Sequence, residues 1–179
     1  MAYRTVLFDL DHTLLDSDES ARLAFSAAMA SVGRKADADL TDRFETINLG
    51  LWSRVEAGEL SPNDIRWIRF DRLFAEAGID ADPTLAGNRY VDGLGEFGGF
   101  YPGTERVLDQ VAAIATLGLV TNGIGEVQRA RIARLELDRW FSAYVISGEV
   151  GVSKPDPAIF DLVFDELGGP DRSTTLMVG

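Results

Sequence analysis

The chain has 179 residues, of which 46% are hydrophobic and 26% charged; this balance allows a packed core and excludes intrinsic disorder. Its formal net charge of −12 and its lack of a Lys/Arg cluster argue against a nucleic-acid polymer as partner. The absence of cysteine excludes disulfides, zinc–thiolate sites and thiol nucleophiles.

The sequence also lacks signals for a membrane or for export. No apolar run approaches the roughly 20 residues that span a bilayer. The start of the chain has neither the basic opening nor the small-residue cleavage site of a signal peptide. We therefore expect a cytoplasmic protein without membrane association, either a monomer or a homodimer.

A predicted strand opens the chain, and a long helical region follows it. Residues 4–9 are apolar β-formers closed by an acid, which indicates a buried strand. Apolar side chains at helical spacing predict helices over residues 17–33, 41–57, 62–78 and, more weakly, 84–94. In the third helix we expect Ser61 as N-cap and Pro62 in the first turn. The aromatic residues of this region could line a base-stacking pocket, but their spacing favours a core: Trp52, Trp67, Phe70 and Phe74.

Strands and helices alternate after residues 95–99. The predicted strands cover residues 117–121, 143–147 and 174–178, and the predicted helices cover residues 104–114, 126–135 and 155–167. This alternation is typical of a parallel sheet with right-handed crossovers, which the first strand must join to bury both of its faces. We therefore predict an α/β fold, a Rossmann-like parallel-sheet core (residues 1–16 and 96–179) with an inserted all-helical cap (residues 17–95).

Polar residues follow the first three predicted strands at the points where these strands end. They are Asp9, Asp11 and Thr13 after the first strand, Thr121, Asn122 and Gly123 after the second, and Lys154 after the third. Ligands of open parallel sheets bind beyond the carboxyl ends of the strands. Each motif alone has an ordinary reading as a turn or a helix start. Their order at successive strand ends favours an active site for phosphoryl transfer.

The chemistry of these residues fits that reaction. Asp9 and Asp11 are two positions apart, so in extended chain both carboxylates project to the same side. Two close carboxylates repel each other unless one is protonated or a cation lies between them. Thr121 and nearby backbone N–H groups can donate to phosphoryl oxygens, and Gly123 permits close approach. Lys154 adds a point charge beside a helix start.

These segments resemble the first three motifs of the haloacid dehalogenase-like hydrolase superfamily. The similar stretches are residues 9–13 (DLDHT), 121–123 (TNG) and 154–155 (KP). The inserted helices resemble the cap of the subfamily that contains many small-metabolite phosphatases. Residues 51–73 and 146–154 also resemble bacterial nucleoside-monophosphate phosphatases of this group, a less specific similarity.

The resemblance implies a Mg²⁺-dependent phosphatase for small phosphorylated metabolites such as nucleoside monophosphates or sugar phosphates. In that family the first aspartate, here Asp9, becomes phosphorylated and binds metal. The second, here Asp11, acts as acid and then as base, and its backbone carbonyl binds Mg²⁺. The remaining matches imply that Thr121, Asn122 and Lys154 bind phosphate. Thr13 and Gly123 would support the site.

Other functions remain open. A phosphosugar mutase of the same superfamily would use the same residues, and a haloacid dehalogenase is disfavoured because that branch lacks a carboxylate at the position of Asp11. An inactive binding or regulatory module is the alternative from another class.

One part of the family pattern is not present. The fourth motif places acids after a strand that ends in glycine, and residues 175–179 resemble that strand and its glycine. A further metal-binding acid is therefore expected just after Gly179, and we expect residues to be missing there. We expect a second omission near Ala115 and Thr116, because the predicted helix and strand leave almost no loop between them.

Overall fold

The computed structural model describes residues 3–179, which form two compact units. The first comprises the residues up to Ser17 together with Gly98–Gly179, and the second comprises Asp18–Phe97. Strands alternate with helices in the first unit, and every regular element within the second is a helix. The predicted α/β class is confirmed.

The second unit is built from four helices around a shared aromatic cluster. The helices are α1 (Ser17–Ser31), α2 (Ala38–Glu56), α3 (Ile65–Ala77) and α4 (Pro83–Glu96). Each contributes a ring to the cluster, namely Phe25, Phe44, Phe70 and Tyr90, and α3 adds Phe74 beside Phe70. The ring of Phe44 lies at its centre, with centroids 4.4 Å from Phe25, 5.1 Å from Phe70 and 5.0 Å from Tyr90. Helical spacing of apolar side chains thus produces a core that belongs to this unit alone.

Two details of α3 differ from the prediction. The helix begins at Ile65 and not at Pro62, because Ser61 and Asp64 close a separate turn before it. The Ser61 N–H donates to Asp64 Oδ2 at 2.7 Å, and the Asp64 N–H donates to Ser61 Oγ at 3.3 Å. The predicted burial of Trp67 is also wrong. Trp67 is 45% exposed, and its Nε1–H donates to Asn88 Oδ1 at 3.3 Å. Phe70 and Phe74 are buried as predicted.

A four-stranded parallel sheet forms the centre of the first unit. Its strands are β1 (Thr5–Phe8), β2 (Thr116–Thr121), β3 (Phe141–Ile146) and β4 (Thr175–Val178), in the order β3-β2-β1-β4. Alternate residues of β1 point to opposite faces, so Val6 and Phe8 enter one apolar cluster and Leu7 enters another. Because β1 lies between β2 and β4, the residues that follow it are central to one edge of the sheet.

The helices of this unit connect the strands as crossovers. They are α5 (Thr104–Ala112), α6 (Gly125–Arg134), α7 (Ser147–Val150) and α8 (Pro157–Glu166), with 3₁₀ turns at Leu137–Arg139 and Arg172–Thr174. Since α5 ends at Ala112 and β2 begins at Thr116, residues 113–115 form a connection of ordinary length. The prediction that almost no loop separates helix and strand near Ala115 and Thr116 is therefore wrong. In the part of the chain that the structure describes, every helix is too short or too polar to span a bilayer.

Candidate active site

Asp9 and Lys154 form an ion pair at the carboxyl edge of the sheet. Lys154 Nζ lies 2.7 Å from Asp9 Oδ1, and the two side chains are 16% and 24% exposed. The Asp9 N–H donates to Val178 O at 2.9 Å, which extends the pairing of β1 with β4 and fixes the Asp9 backbone. The Leu10 N–H also donates to Asp9 Oδ1, at 2.8 Å. A carboxylate and an ammonium group that can bind phosphate are thus adjacent.

Asn122 holds the backbone of Lys154 from both sides. The Asn122 side-chain amide donates to Lys154 O at 3.0 Å, and its Oδ1 accepts from the Lys154 N–H at 2.8 Å. The loops that follow β2 and β3 are joined by this pair of hydrogen bonds. The Asn122 side chain therefore contacts Lys154 backbone atoms, and phosphate binding by Asn122 stays a prediction.

Asp11 accepts hydrogen bonds on both carboxylate oxygens. Arg131 Nη1 lies 2.7 Å from Asp11 Oδ1, and Gln128 Nε2 lies 2.7 Å from Asp11 Oδ2. The Ser17 hydroxyl donates to Asp11 Oδ1 as well. Gln128 and Arg131 are both on α6 and are 1% and 4% exposed, whereas the Asp11 side chain is 26% exposed. Asp11 is therefore held by buried donors while part of it remains open to solvent.

These contacts set the protonation state of Asp11. Burial is the largest single influence and would raise the pKa of Asp11, because removal from water disfavours the charged form. The positive charge of Arg131 and the hydrogen bonds from Ser17, Gln128 and Arg131 act in the opposite direction and together outweigh burial. The pKa of Asp11 consequently lies below its usual value, and at neutral pH the isolated site holds a carboxylate.

Thr121 is connected to Asp11 through Gln128. Thr121 is fully buried at the end of β2, and Gln128 Nε2 lies 3.0 Å from its Oγ1 and 3.3 Å from Asn122 O. Glycine at position 123 makes this arrangement possible, since a Cβ there would lie 2.7 Å from Gln128 Nε2. The Gly123 N–H donates to Ser147 Oγ at 3.0 Å. The motif after β2 thus meets the motif after β1 through one amide side chain.

Thr13 lies in the tight turn that follows Asp11. Its N–H donates to Leu10 O at 3.4 Å, and Asp11 and Leu15 close the turn by an isolated bridge. His12 adopts a left-handed φ of 58° in this turn. The contact that the structure gives for Thr13 is therefore a backbone hydrogen bond within this turn, and its supporting role stays a prediction.

The acidic residues fit part of a magnesium site. Carboxylate and carbonyl oxygens are the ligands that Mg²⁺ prefers, and Asp9 and Asp11 supply both. Among residues 3–179, no group of three or more His, Cys, Asp or Glu side chains is arranged to hold a metal ion. Gly179 lies against Asp9, because a Cβ on Gly179 would lie 2.9 Å from Asp9 Cβ. The predicted acid after Gly179 would follow directly from that position, and it stays a prediction.

Sequence reasoning missed Gln128, Arg131 and Ser17. A signal for the first two was present in the spacing of α6. Ile124, Val127, Ile132 and Leu135 recur at helical intervals that define an inward face, and Gln128 and Arg131 fall on that face. Polar residues within an otherwise apolar helical stripe indicate buried hydrogen bonds.

The fold and the polar residues at its strand ends define a Rossmann-like hydrolase. The model of the haloacid dehalogenase-like hydrolase family matches residues 3–179, and the chain belongs to this family. The resemblance recognised in the sequence is confirmed, and the chain is an enzyme of the hydrolase class.

Named relatives are similar over the whole chain. The pyrimidine 5′-nucleotidase YjjG of Escherichia coli (strain K12) is 32% identical over 179 residues, which cover 100% of this chain and 78% of the relative. The pyrimidine 5′-nucleotidase PynA of Streptococcus pneumoniae is 31% identical, over 100% of this chain and 76% of the relative. The magnesium-bound crystal structure of the HAD-hydrolase YfnB from Bacillus subtilis superposes with a TM-score of 0.89 at 29% identity, over 99% of this chain and 78% of that one.

Proposed function

We propose that this hydrolase is a Mg²⁺-dependent phosphatase that cleaves small phosphate monoesters through an aspartyl-phosphate on Asp9. The ion pair between Asp9 and Lys154 is the observation that supports this proposal most directly. In this pair the Asp9 carboxylate lies 2.7 Å from a cation that can bind phosphoryl oxygens. The similarity to two pyrimidine 5′-nucleotidases makes pyrimidine nucleoside monophosphates the first substrates to test, followed by sugar phosphates.

The first step forms the covalent intermediate. An Asp9 carboxylate oxygen attacks phosphorus, and the bond between phosphorus and the leaving oxygen breaks. Asp11 gives its proton to that oxygen, so that a neutral alcohol departs. Asp11 must first gain this proton, and the negative charge of a bound phosphate dianion favours its protonated form. Lys154 and Thr121 bind the phosphoryl oxygens during the transfer.

The second step regenerates the enzyme. Asp11, now a carboxylate, takes a proton from water as the water oxygen attacks phosphorus, and the bond between phosphorus and the Asp9 oxygen breaks. Inorganic phosphate leaves and Asp9 is free again. The Asp9 carboxylate and the Asp11 backbone carbonyl would hold Mg²⁺. Its positive charge would offset the negative charge of the phosphoryl group.

Phosphate release from a panel of nucleoside and sugar monophosphates, with Mg²⁺ or with EDTA, tests the proposal. We expect Mg²⁺-dependent release, and we expect Asp9→Asn and Asp11→Asn each to lower kcat/KM at least about 100-fold. Asp161→Asn on α8 is the control, because this exposed acid pairs with Arg172 on the surface. Undiminished activity in Asp9→Asn would contradict the covalent route.

The same panel separates the alternatives. An isomeric sugar phosphate formed without phosphate release would indicate a mutase. Halide release from a haloacid would indicate a dehalogenase. Absence of turnover with every compound would contradict the proposed phosphatase function.

A further inference from the structure

Two buried polar side chains of α6 enclose the carboxylate of Asp11. Gln128 contacts Asp11 Oδ2 and Arg131 contacts Asp11 Oδ1, each at 2.7 Å. They lie 117 and 120 positions from Asp11 in the chain. The two side chains also contact each other, since Arg131 Nη1 donates to Gln128 Oε1 at 3.2 Å. Helix α6 therefore presents a preassembled pair of donors to a single carboxylate.

Burial of these two polar side chains costs free energy, which indicates that they serve the site. Removing a guanidinium and a carboxylate from water carries a desolvation penalty that their attraction often fails to exceed, so a buried ion pair is weak evidence of stabilisation. Apolar residues at these two positions would continue the inward face of α6, which Val127 and Ile132 already form. Placement of the pair against Asp11 suggests that its purpose is to orient that residue.

We propose that Gln128 and Arg131 are positioning residues for the acid–base function of Asp11. Arg131 and Gln128 each fix one carboxylate oxygen of Asp11. The Asp11 side chain therefore faces the leaving oxygen in one orientation. The same Gln128 Nε2 also lies 3.0 Å from Thr121 Oγ1. This inference rests on the proposed phosphatase function.

The neighbouring glycine supports a specific place for Gln128. A Cβ at position 123 would lie 2.7 Å from Gln128 Nε2 and 3.2 Å from its Cγ and Cδ. With a Cβ at position 123, either the end of the Gln128 side chain or the loop would have to shift. The loop after β2 is thus shaped to admit this side chain.

The dependence of rate on the leaving group distinguishes positioning of an acid from general support of the fold. kcat/KM covers the steps up to formation of the aspartyl-phosphate, in which Asp11 protonates the leaving oxygen. A nucleoside monophosphate needs that proton, whereas 2,4-dinitrophenyl phosphate does not, because its phenolate is a stable leaving group. We therefore compare kcat/KM for these two esters in Gln128→Met and Arg131→Met, with Asp11→Asn as the reference.

We expect both variants to lower kcat/KM for the nucleotide at least about tenfold. With 2,4-dinitrophenyl phosphate the change should stay within about threefold, as in Asp11→Asn. Arg129→Met is the matched control on the same helix: Arg129 is half exposed and pairs with Glu149, so neither ester should be affected. Gln128→Met, which replaces a neutral side chain by one of similar size, keeps the test available if Arg131→Met does not fold.

Equal losses on both esters in the two variants would overturn the inference, because they would indicate a structural role. Unchanged kcat/KM for the nucleotide would overturn it as well. If the unmodified enzyme hydrolysed neither ester, that result would instead refute the proposed function.

Discussion

Asn122 contacts the backbone of Lys154, a role that was not predicted from the sequence. The side-chain amide of Asn122 forms hydrogen bonds with both the N–H and the carbonyl oxygen of Lys154. These bonds hold the lysine backbone at the site. A residue that acts in this way is sensitive to the direction of its hydrogen bonds and not only to its size. Its replacement by the isosteric aspartate therefore gives an informative variant.

We expect Asn122→Asp to lower kcat/KM at least about tenfold and the free energy of unfolding by about 1–3 kcal/mol. The donor that faces Lys154 O becomes an oxygen, which leaves two acceptors opposed. Phosphate release and urea unfolding measure the two effects. Asn88→Asp is the matched control, since the exposed Asn88 uses its Oδ1 as acceptor, and aspartate retains that function. Wild-type activity in Asn122→Asp would show that Lys154 does not depend on this support.

The strand-end motifs could be predicted from the sequence, but their supporting contacts could not. Asp9, Thr121 and Lys154 follow apolar strands, and parallel strands bring their carboxyl ends to one edge. Contact between Gln128 and Asp11 depends in addition on how α6 is rotated against the sheet. Local patterns do not specify that rotation. Gln128 and Arg131 were therefore missed because they contact Asp11 across 117 and 120 positions of the chain.

The type of most secondary-structure elements could be predicted from the sequence, whereas the residues at which they begin and end were less predictable. The alternation of β2, α6, β3 and α8 follows from apolar spacing and turn residues. Helix α7 was missed because four residues are too few to show a helical period. The start of α3 was misplaced because a Ser-Pro-Asn-Asp sequence can begin a helix or close a turn, and the local hydrogen bonds of Ser61 and Asp64 decide between the two.

Helix–helix distance in the four-helix unit depends on a glycine of α4. A Cβ at Gly93 would lie 2.9 Å from both Cα and Cβ of Ala24 on α1. Real Cβ atoms do not approach a backbone atom so closely, so the two helices would have to separate. Gly50 on α2 is a helical glycine with no atom within 4 Å of an added Cβ.

We expect opposite effects from alanine at these two positions. Gly93→Ala should lower the free energy of unfolding by about 1–3 kcal/mol through overpacking. Gly50→Ala should raise it by about 0.5–1 kcal/mol, because alanine loses less backbone entropy in a helix. Urea unfolding followed by far-ultraviolet circular dichroism measures both. Equal stability of the two variants would show that α1 and α4 can separate without cost.

The division into two units was suggested by the change from helices alone to alternating strands and helices. The order of the strands was not deducible in the same way. β1 pairs with both β2 and β4, although β4 comes last in the chain, and that pairing depends on tertiary contacts. Each unit nevertheless has a core of its own, since the aromatic cluster contains only residues from α1 to α4.

Because that core is self-contained, we expect a segment of residues 18–97 to fold by itself. Its two ends are joined internally, since Ser20 Oγ donates to Leu94 O at 3.2 Å. The isolated segment should show a helical circular dichroism spectrum and a cooperative thermal transition.

Phe70→Ala removes a fully buried ring at a cost of about 3–5 kcal/mol, enough to abolish the transition in a segment of this size. Trp67→Ala should retain it, because Trp67 is 45% exposed. A spectrum without helix, or a transition insensitive to Phe70→Ala, would show that this core needs the rest of the chain.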